Sequence, residues 1–164
     1  MRPQKPIVGI LMGSESDMMV MQSAAETLDR FGISYELVIT SAHRSPHQTL
    51  AYATKAEKRG IKLIIAGAGG AAHLPGVVAA WSTIPVIGIP IRTRAFKGVD
   101  SFISMVEMPK GVPVATVGVD NANNAALLAV SILAINDKGI KSKLKKYRQD
   151  LAKKVTNSNN KNRI

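Results

Sequence analysis

The sequence predicts a single-domain α/β protein: a doubly wound, three-layer arrangement around a parallel sheet of about five strands, with a C-terminal helical extension. Three observations carry that expectation. Five short apolar runs alternate with longer segments of helical periodicity, the order of βαβ units. The runs are almost continuously apolar, as strands covered on both faces of a parallel sheet must be. A chain of 164 residues with 46% hydrophobic content also has enough apolar volume for one well-filled core.

The elements follow in order. Strands are predicted at 7–11, 35–39, 63–66, 86–89 and 114–117, each rich in Val and Ile. The first helix is expected over 17–31, ended by Gly32, which favours the left-handed conformation of a helix C-terminus. The second begins at Ser45-Pro46, a capping residue followed by proline at the first helical position, and stops at Gly60. A third follows His73-Leu74-Pro75, and a shorter one spans 100–106. Segment 122–135 is apolar nearly all round, and such a helix must be buried on all sides, which points to a subunit interface as its cover. The last helix is expected over 141–155, with Leu144, Tyr147, Leu151 and Val155 forming one apolar stripe. Residues 1–155 are read as one catalytic domain and 156–164 as a disordered basic tail.

Charge and composition exclude several functions. The net charge is +11, but residues 138–164 hold ten Lys or Arg and one acid, leaving only +2 on residues 1–137. The basic character belongs to the terminal helix, so a nucleic-acid partner is not expected; a weak polyanion contact through that tail is the alternative. There are no cysteines, which removes disulfides, thiolate chemistry and Cys-based zinc sites. No apolar run is long enough to span a bilayer, and 7–12 is too short for a secretory signal, so a cytoplasmic protein with no membrane partner is expected. His43, His47 and His73 lack ligand spacing such as HExxH, so no metal site is expected.

In an open parallel sheet, ligands bind beyond the carboxyl ends of the strands, and the unusual residues of this chain fall there. After the first strand, Gly13-Ser14-Glu15-Ser16-Asp17 opens into a helix; these residues are either a helix cap or a set of hydroxyl and N–H donors for an anion such as phosphate. After the second, Ser41-Ala42-His43-Arg44-Ser45-Pro46 places an imidazole beside a guanidinium. That pairing suits proton transfer next to an anionic substrate, or else reflects a hydrogen-bonded loop with a surface charge. After the third, Ala66-Gly67-Ala68-Gly69-Gly70-Ala71-Ala72-His73-Leu74-Pro75 lets backbone approach a ligand closely, or forms a purely structural turn. It has neither dinucleotide-binding nor Walker spacing. From the residues alone His73 is expected to be a packed cap of the following helix.

Together with Gly76 and Gly98-Val99-Asp100-Ser101, these motifs resemble the N5-carboxyaminoimidazole ribonucleotide mutase family, the catalytic subunits of phosphoribosylaminoimidazole carboxylase in older naming. The resemblance covers about 7–135, and four motifs in the same order make it specific. It implies a cofactor-free isomerase of purine biosynthesis, needing neither ATP nor metal, that moves a carboxylate from the exocyclic nitrogen of an aminoimidazole ribonucleotide to ring carbon C4. It implies His43 as the acid/base and Ser14, Ser16, Asp17, Ser41, Arg44, Gly69, Gly70, Ala71, His73 and Leu74 as substrate-binding residues. Ser14, Ser16 and Asp17 would hold ribose and phosphate, Ser41 and Arg44 the anionic end, and the backbone of 69–72 the imidazole and CO₂. A homo-octamer, and a transient contact with the ATP-dependent synthetase that carboxylates the substrate, complete what the resemblance implies.

A second class in the same family carboxylates aminoimidazole ribonucleotide directly with CO₂; it has Lys where this chain has Arg44, which favours the mutase. This sequence departs from the family pattern at Met18, where an aromatic is common, at the basic Arg92-Thr93-Arg94, and at a shortened loop 120–124, from which no contacts are carried over. A phosphate- or mononucleotide-binding module without chemistry, as flavodoxin-like folds can host, remains the competing class of function.

Overall fold

The computed structural model describes residues 5–161. Five strands, β1 (Val8–Met12), β2 (Tyr35–Ile39), β3 (Leu63–Gly69), β4 (Val86–Ile91) and β5 (Ala115–Thr116), form one sheet in the order β2-β1-β3-β4-β5, with every neighbouring pair parallel. The helices are α1 (Met18–Phe31), α2 (Pro46–Ala56), α3 (Leu74–Ala80), α4 (Val99–Val106), α5 (Ala122–Leu133) and α6 (Lys138–Lys161), with single 3-10 turns at Glu15–Asp17 and Glu57–Arg59. Chain order reverses between β1 and β3, because β2 lies on the far side of β1; this reversal opens a crevice at the carboxyl edge.

The core has a direct cause in the sequence. β1 and β4 are buried at every position, and Ile10, Leu11, Met12, Ile64, Ile65, Ile87 and Ile89 have no exposed surface. Each such side chain contributes about 1.5–3 kcal/mol of burial energy. Continuous burial does not extend to β2, where Leu37 and Ile39 are 40% and 45% exposed. β2 is an edge strand with one neighbour, and its outer side lacks cover. β5, the opposite edge, keeps only two residues of the predicted four.

Helix ends follow the predicted signals in part. Gly32 is left-handed at φ 68°, and the Ile33 N–H donates to the Leu28 carbonyl at 3.0 Å, closing α1 as expected. Ser45 occupies the N-cap position of α2 but makes no side-chain cap; its hydroxyl accepts from the Ser41 N–H at 2.9 Å and so braces the preceding loop.

The chain divides into two compact units, one ending at Ala129 and one beginning at Val130. In α5 the small residues Ala122, Ala125, Ala126 and Ala129 are buried within this chain, while Leu127, Leu128 and Ile132 stay partly exposed. The helix therefore does not depend on a partner for all of its cover. α6 starts three residues earlier than expected because the Asp137 carboxylate accepts from the Ile140 N–H at 2.9 Å, a cap the sequence reading missed. It also continues through Lys161, so residues 156–161 are helical rather than disordered. The Thr156 and Ser158 hydroxyls donate to carbonyls four residues back, at 3.1 and 2.9 Å, so each is satisfied within the helix. Residues 162–164 of the expected tail lie outside the described residues.

Candidate functional site

The three loops singled out by composition meet at the reversal point. They line one cleft of about 360 Å³, walled by residues from 13–17 after β1, by 41–44 after β2, and by 68–69 and 72–74 at the end of β3. The sheet explains the convergence. Parallel β1, β2 and β3 lie side by side in register, so loops leaving their carboxyl ends emerge together.

Local backbone geometry prepares each wall. Ser14 is extended, and its hydroxyl accepts weakly from the Ser16 N–H at 3.4 Å as the chain turns into α1. The Ser16 hydroxyl donates to the Asp17 carboxylate at 3.2 Å. Partial burial raises the Asp17 carboxyl above its ordinary range, opposed by the Ser16 hydrogen bond and the Arg44 charge. In the second loop the Ser41 hydroxyl accepts from the Arg44 backbone N–H at 3.1 Å and from its Nε at 3.4 Å. Arg44 Nη2 donates to the Gly13 carbonyl at 2.6 Å, tying the second loop to the first. The rest of that guanidinium faces the cleft edge, ready for an anion.

The third loop turns sharply at the end of β3. Gly70 is left-handed at φ 65°, and so is Ala72 at φ 49°, a conformation that costs a residue with Cβ roughly 1–3 kcal/mol. Ala72 is nonetheless buried and part of the cleft wall, and the turn presents His73 beside it. His73 is exposed and makes no side-chain cap bond to α3, so the expected packed cap is not observed. Instead its Nδ1 lies 2.6 Å from His43 Nε2, with the two rings edge to face at 82°.

Of the residues assigned from the sequence, Ser14, Ser16, Asp17, Ser41, His43, Arg44, Gly69, His73 and Leu74 line this cleft. Gly70 and Ala71 do not; they form the outer arc of the turn. Ala72, whose backbone was given to the imidazole and CO₂ with the rest of 69–72, also lines it, while Gly13, Ala42 and Ala68 join the lining without having been assigned a site role. Alanines carry no chemical label, and only their position beside the marked residues could have flagged them. A second hollow of about 360 Å³ lies against the same loops, lined by Thr40, Ser45 and Gln48 together with Ser14, Ser41 and Arg44. Arg44 and the two serines border both spaces, so an anion in either one meets the same donors.

Among the described residues, no three His, Asp or Glu side chains come together as metal ligands, and no helix is long and apolar enough to cross a membrane.

A family model described as AIR carboxylase matches residues 7–154. The N5-carboxyaminoimidazole ribonucleotide mutase of Pyrococcus horikoshii is 57% identical over 94% of this chain and 88% of its own length. The phosphoribosylaminoimidazole carboxylase of Saccharomyces cerevisiae is 56% identical over 87% of this chain, which corresponds to only 25% of that longer protein. The crystal structure of Treponema denticola PurE superposes with a TM-score of 0.90 at 34% identity, covering 97% of this chain and 99% of that one.

Proposed function

The chain belongs to the AIR carboxylase family, and from that membership and the cleft we propose that it is an N5-carboxyaminoimidazole ribonucleotide mutase of purine biosynthesis. The single observation that carries the chemistry is the position of His43: an imidazole at the wall of a cleft whose other walls offer hydroxyls, a guanidinium and small, close-approaching backbone. That combination suits an anionic ribonucleotide and a neutral CO₂.

The proposed reaction balances without a further reactant. The N–C bond to the carboxylate breaks, CO₂ departs, and the electron pair left on nitrogen takes a proton from His43. Ring carbon C4 then attacks CO₂, and the proton displaced from C4 returns to His43. Arg44, Ser41 and Ser14 hold the phosphate end, and the half-buried Asp17 carboxylate accepts from ribose hydroxyls. The alanines and glycine at the end of β3 leave room for CO₂ beside the substrate between the two steps.

A homo-oligomer, an octamer by family resemblance, is part of the proposal. Its support is the outer stripe of α4, where Val99, Phe102, Ile103 and Val106 recur at helical spacing and are 39–57% exposed. The absence of cysteine supports a cytoplasmic setting, and the lability of an N-carboxylate favours brief contact with the synthetase that makes it.

The direct test incubates the purified chain with the N-carboxylated ribonucleotide, with neither ATP nor metal added. Conversion to the C4-carboxylated isomer well above the spontaneous rate is expected. A folded sample that binds the ribonucleotide yet turns none over would leave only a binding module.

A further inference from the structure

We infer that His73 is a positioning residue for His43, fixing its ring and leaving Nδ1 as the nitrogen that exchanges protons with the substrate. The inference rests on the proposed acid/base role of His43.

The geometry leaves few alternatives. His43 Nε2 and His73 Nδ1 are 2.6 Å apart, ring centroids are 4.8 Å apart, and the planes cross at 82°. A hydrogen bond between two neutral imidazoles uses one N–H and one lone pair. Because this contact joins Nε2 of one ring to Nδ1 of the other, the two rings must share a tautomer. If His43 donates, both rings carry Nε2–H and His43 Nδ1 is a base. If His73 donates, both carry Nδ1–H and His43 Nδ1 is an acid. In both arrangements His43 Nδ1 is left outside the pair, and the two arrangements match the two tasks of the reaction, giving a proton to nitrogen and taking one from C4. When the pair holds an extra proton, the bridge carries a single positive charge. A proton lost from Nδ1 to the substrate nitrogen is restored to Nδ1 from C4, so the pair ends as it began.

His73 has no competing structural duty. It is exposed, and its backbone carbonyl, not its side chain, serves α3 by accepting from the Val77 N–H at 2.9 Å. The turn that presents it is held by backbone alone, through the Ala72 N–H on the Gly69 carbonyl at 3.2 Å. Replacing the His73 ring therefore removes the imidazole contact and leaves the turn and the helix end in place.

Two readouts test this. In kinetics, His73→Leu is expected to lower kcat about 10- to 100-fold with KM little changed, the scale on which groups that orient a reacting side chain act. His73→Asn, whose Oδ1 can stand where Nδ1 stood, recovers most of that loss. In nitrogen NMR of the free protein, only His43, His47 and His73 contribute imidazole signals. His43 and His73 are expected to show one shared tautomer pattern, and His43 is expected to relax to a mixture in His73→Leu. Unchanged kcat in His73→Leu, a loss confined to KM, an Asn variant no better than Leu, or an unaltered His43 tautomer would each overturn the inference. If wild type itself lacks turnover, the proposed function fails, while the tautomer measurement still decides whether the pair exists. Should His73→Leu fold poorly, the wild-type and Asn spectra carry the test.

Discussion

Two loop systems sit on the same carboxyl edge of the sheet, and they use polar residues in opposite ways. The loop after β4 is the more heavily charged, with Arg92, Arg94 and Lys97. Arg92 and Thr93 there are committed to structural contacts. Arg92 Nε pairs with the Asp120 carboxylate at 3.1 Å, its backbone N–H donates to the same group at 2.9 Å, and the Thr93 hydroxyl donates to Asp100 at 3.1 Å. Around β1, β2 and β3 the groups face a shared cleft: Asp17 half-buried, Arg44 bridging two loops, and two imidazoles in contact. Charge that finds a carboxylate on a neighbouring element builds structure, and charge left at the wall of a cavity builds a site. Arg44 shows the difference within one residue, since its bond to the Gly13 carbonyl uses a neutral acceptor and keeps its positive charge available.

Substitutions on the two sides should separate accordingly. The largest effect is expected on the cleft side. His43→Ala should reduce turnover roughly 10²- to 10⁴-fold, the usual scale of acid/base catalysis, with ribonucleotide affinity nearly intact when measured by calorimetry. On the β4 side, Gly98→Ala should strike stability instead of chemistry. Gly98 sits at φ 92°, and an added Cβ would lie 2.5 Å from Val119 Cγ1 and 3.3 Å from the Arg92 backbone. A loss of about 1–3 kcal/mol is expected from overpacking and backbone strain, read as a lowered Tm, with turnover per folded molecule preserved.

Arg92→Ala is expected to cost less, at most about 1 kcal/mol in thermal unfolding, because the Arg92 side chain of the pair is 64% exposed and screened by solvent. A large fall in turnover would show that the β4 loop reaches the chemistry and would erase the contrast. The smallest effect is expected at Asp17. Its carboxyl is raised mainly by burial, so the folded state holds that proton more tightly than the unfolded chain does. This group's contribution to stability therefore falls as pH rises from its ordinary value of 3.8 through the raised one, and stays lowered above it. Asp17→Asn should flatten that part of the stability–pH curve and slightly raise stability at neutral pH, while weakening ribonucleotide binding.

Much of this was legible from sequence because the signals are local. Strand composition located β1 through β4, Gly32 marked the end of α1, and the three loops of small, hydroxyl-bearing and titratable residues turned out to line one cleft. Features that depend on residues distant in the chain were not legible. The His43–His73 contact joins positions thirty apart, and the neighbours of His73 in sequence mark only a helix start. The Ser45 hydroxyl was expected to cap α2, but Ser41 four residues earlier offered it a closer partner. The partial exposure of β2 follows from its edge position, which composition does not encode. At α6 the Asn- and Ser-rich end reads as disorder by propensity, yet the helix runs on through Lys161.

The most direct test of the carboxylate-transfer assignment is turnover of the N-carboxylated ribonucleotide in ¹³C-bicarbonate buffer, without ATP or metal. The cleft's room for a retained CO₂, together with Arg44, predicts a C4-carboxylated product whose carboxylate is mostly unlabelled. Label entering the product at enzymatic rates, with aminoimidazole ribonucleotide and CO₂ as the better substrates, would contradict it and make the chain a direct carboxylase.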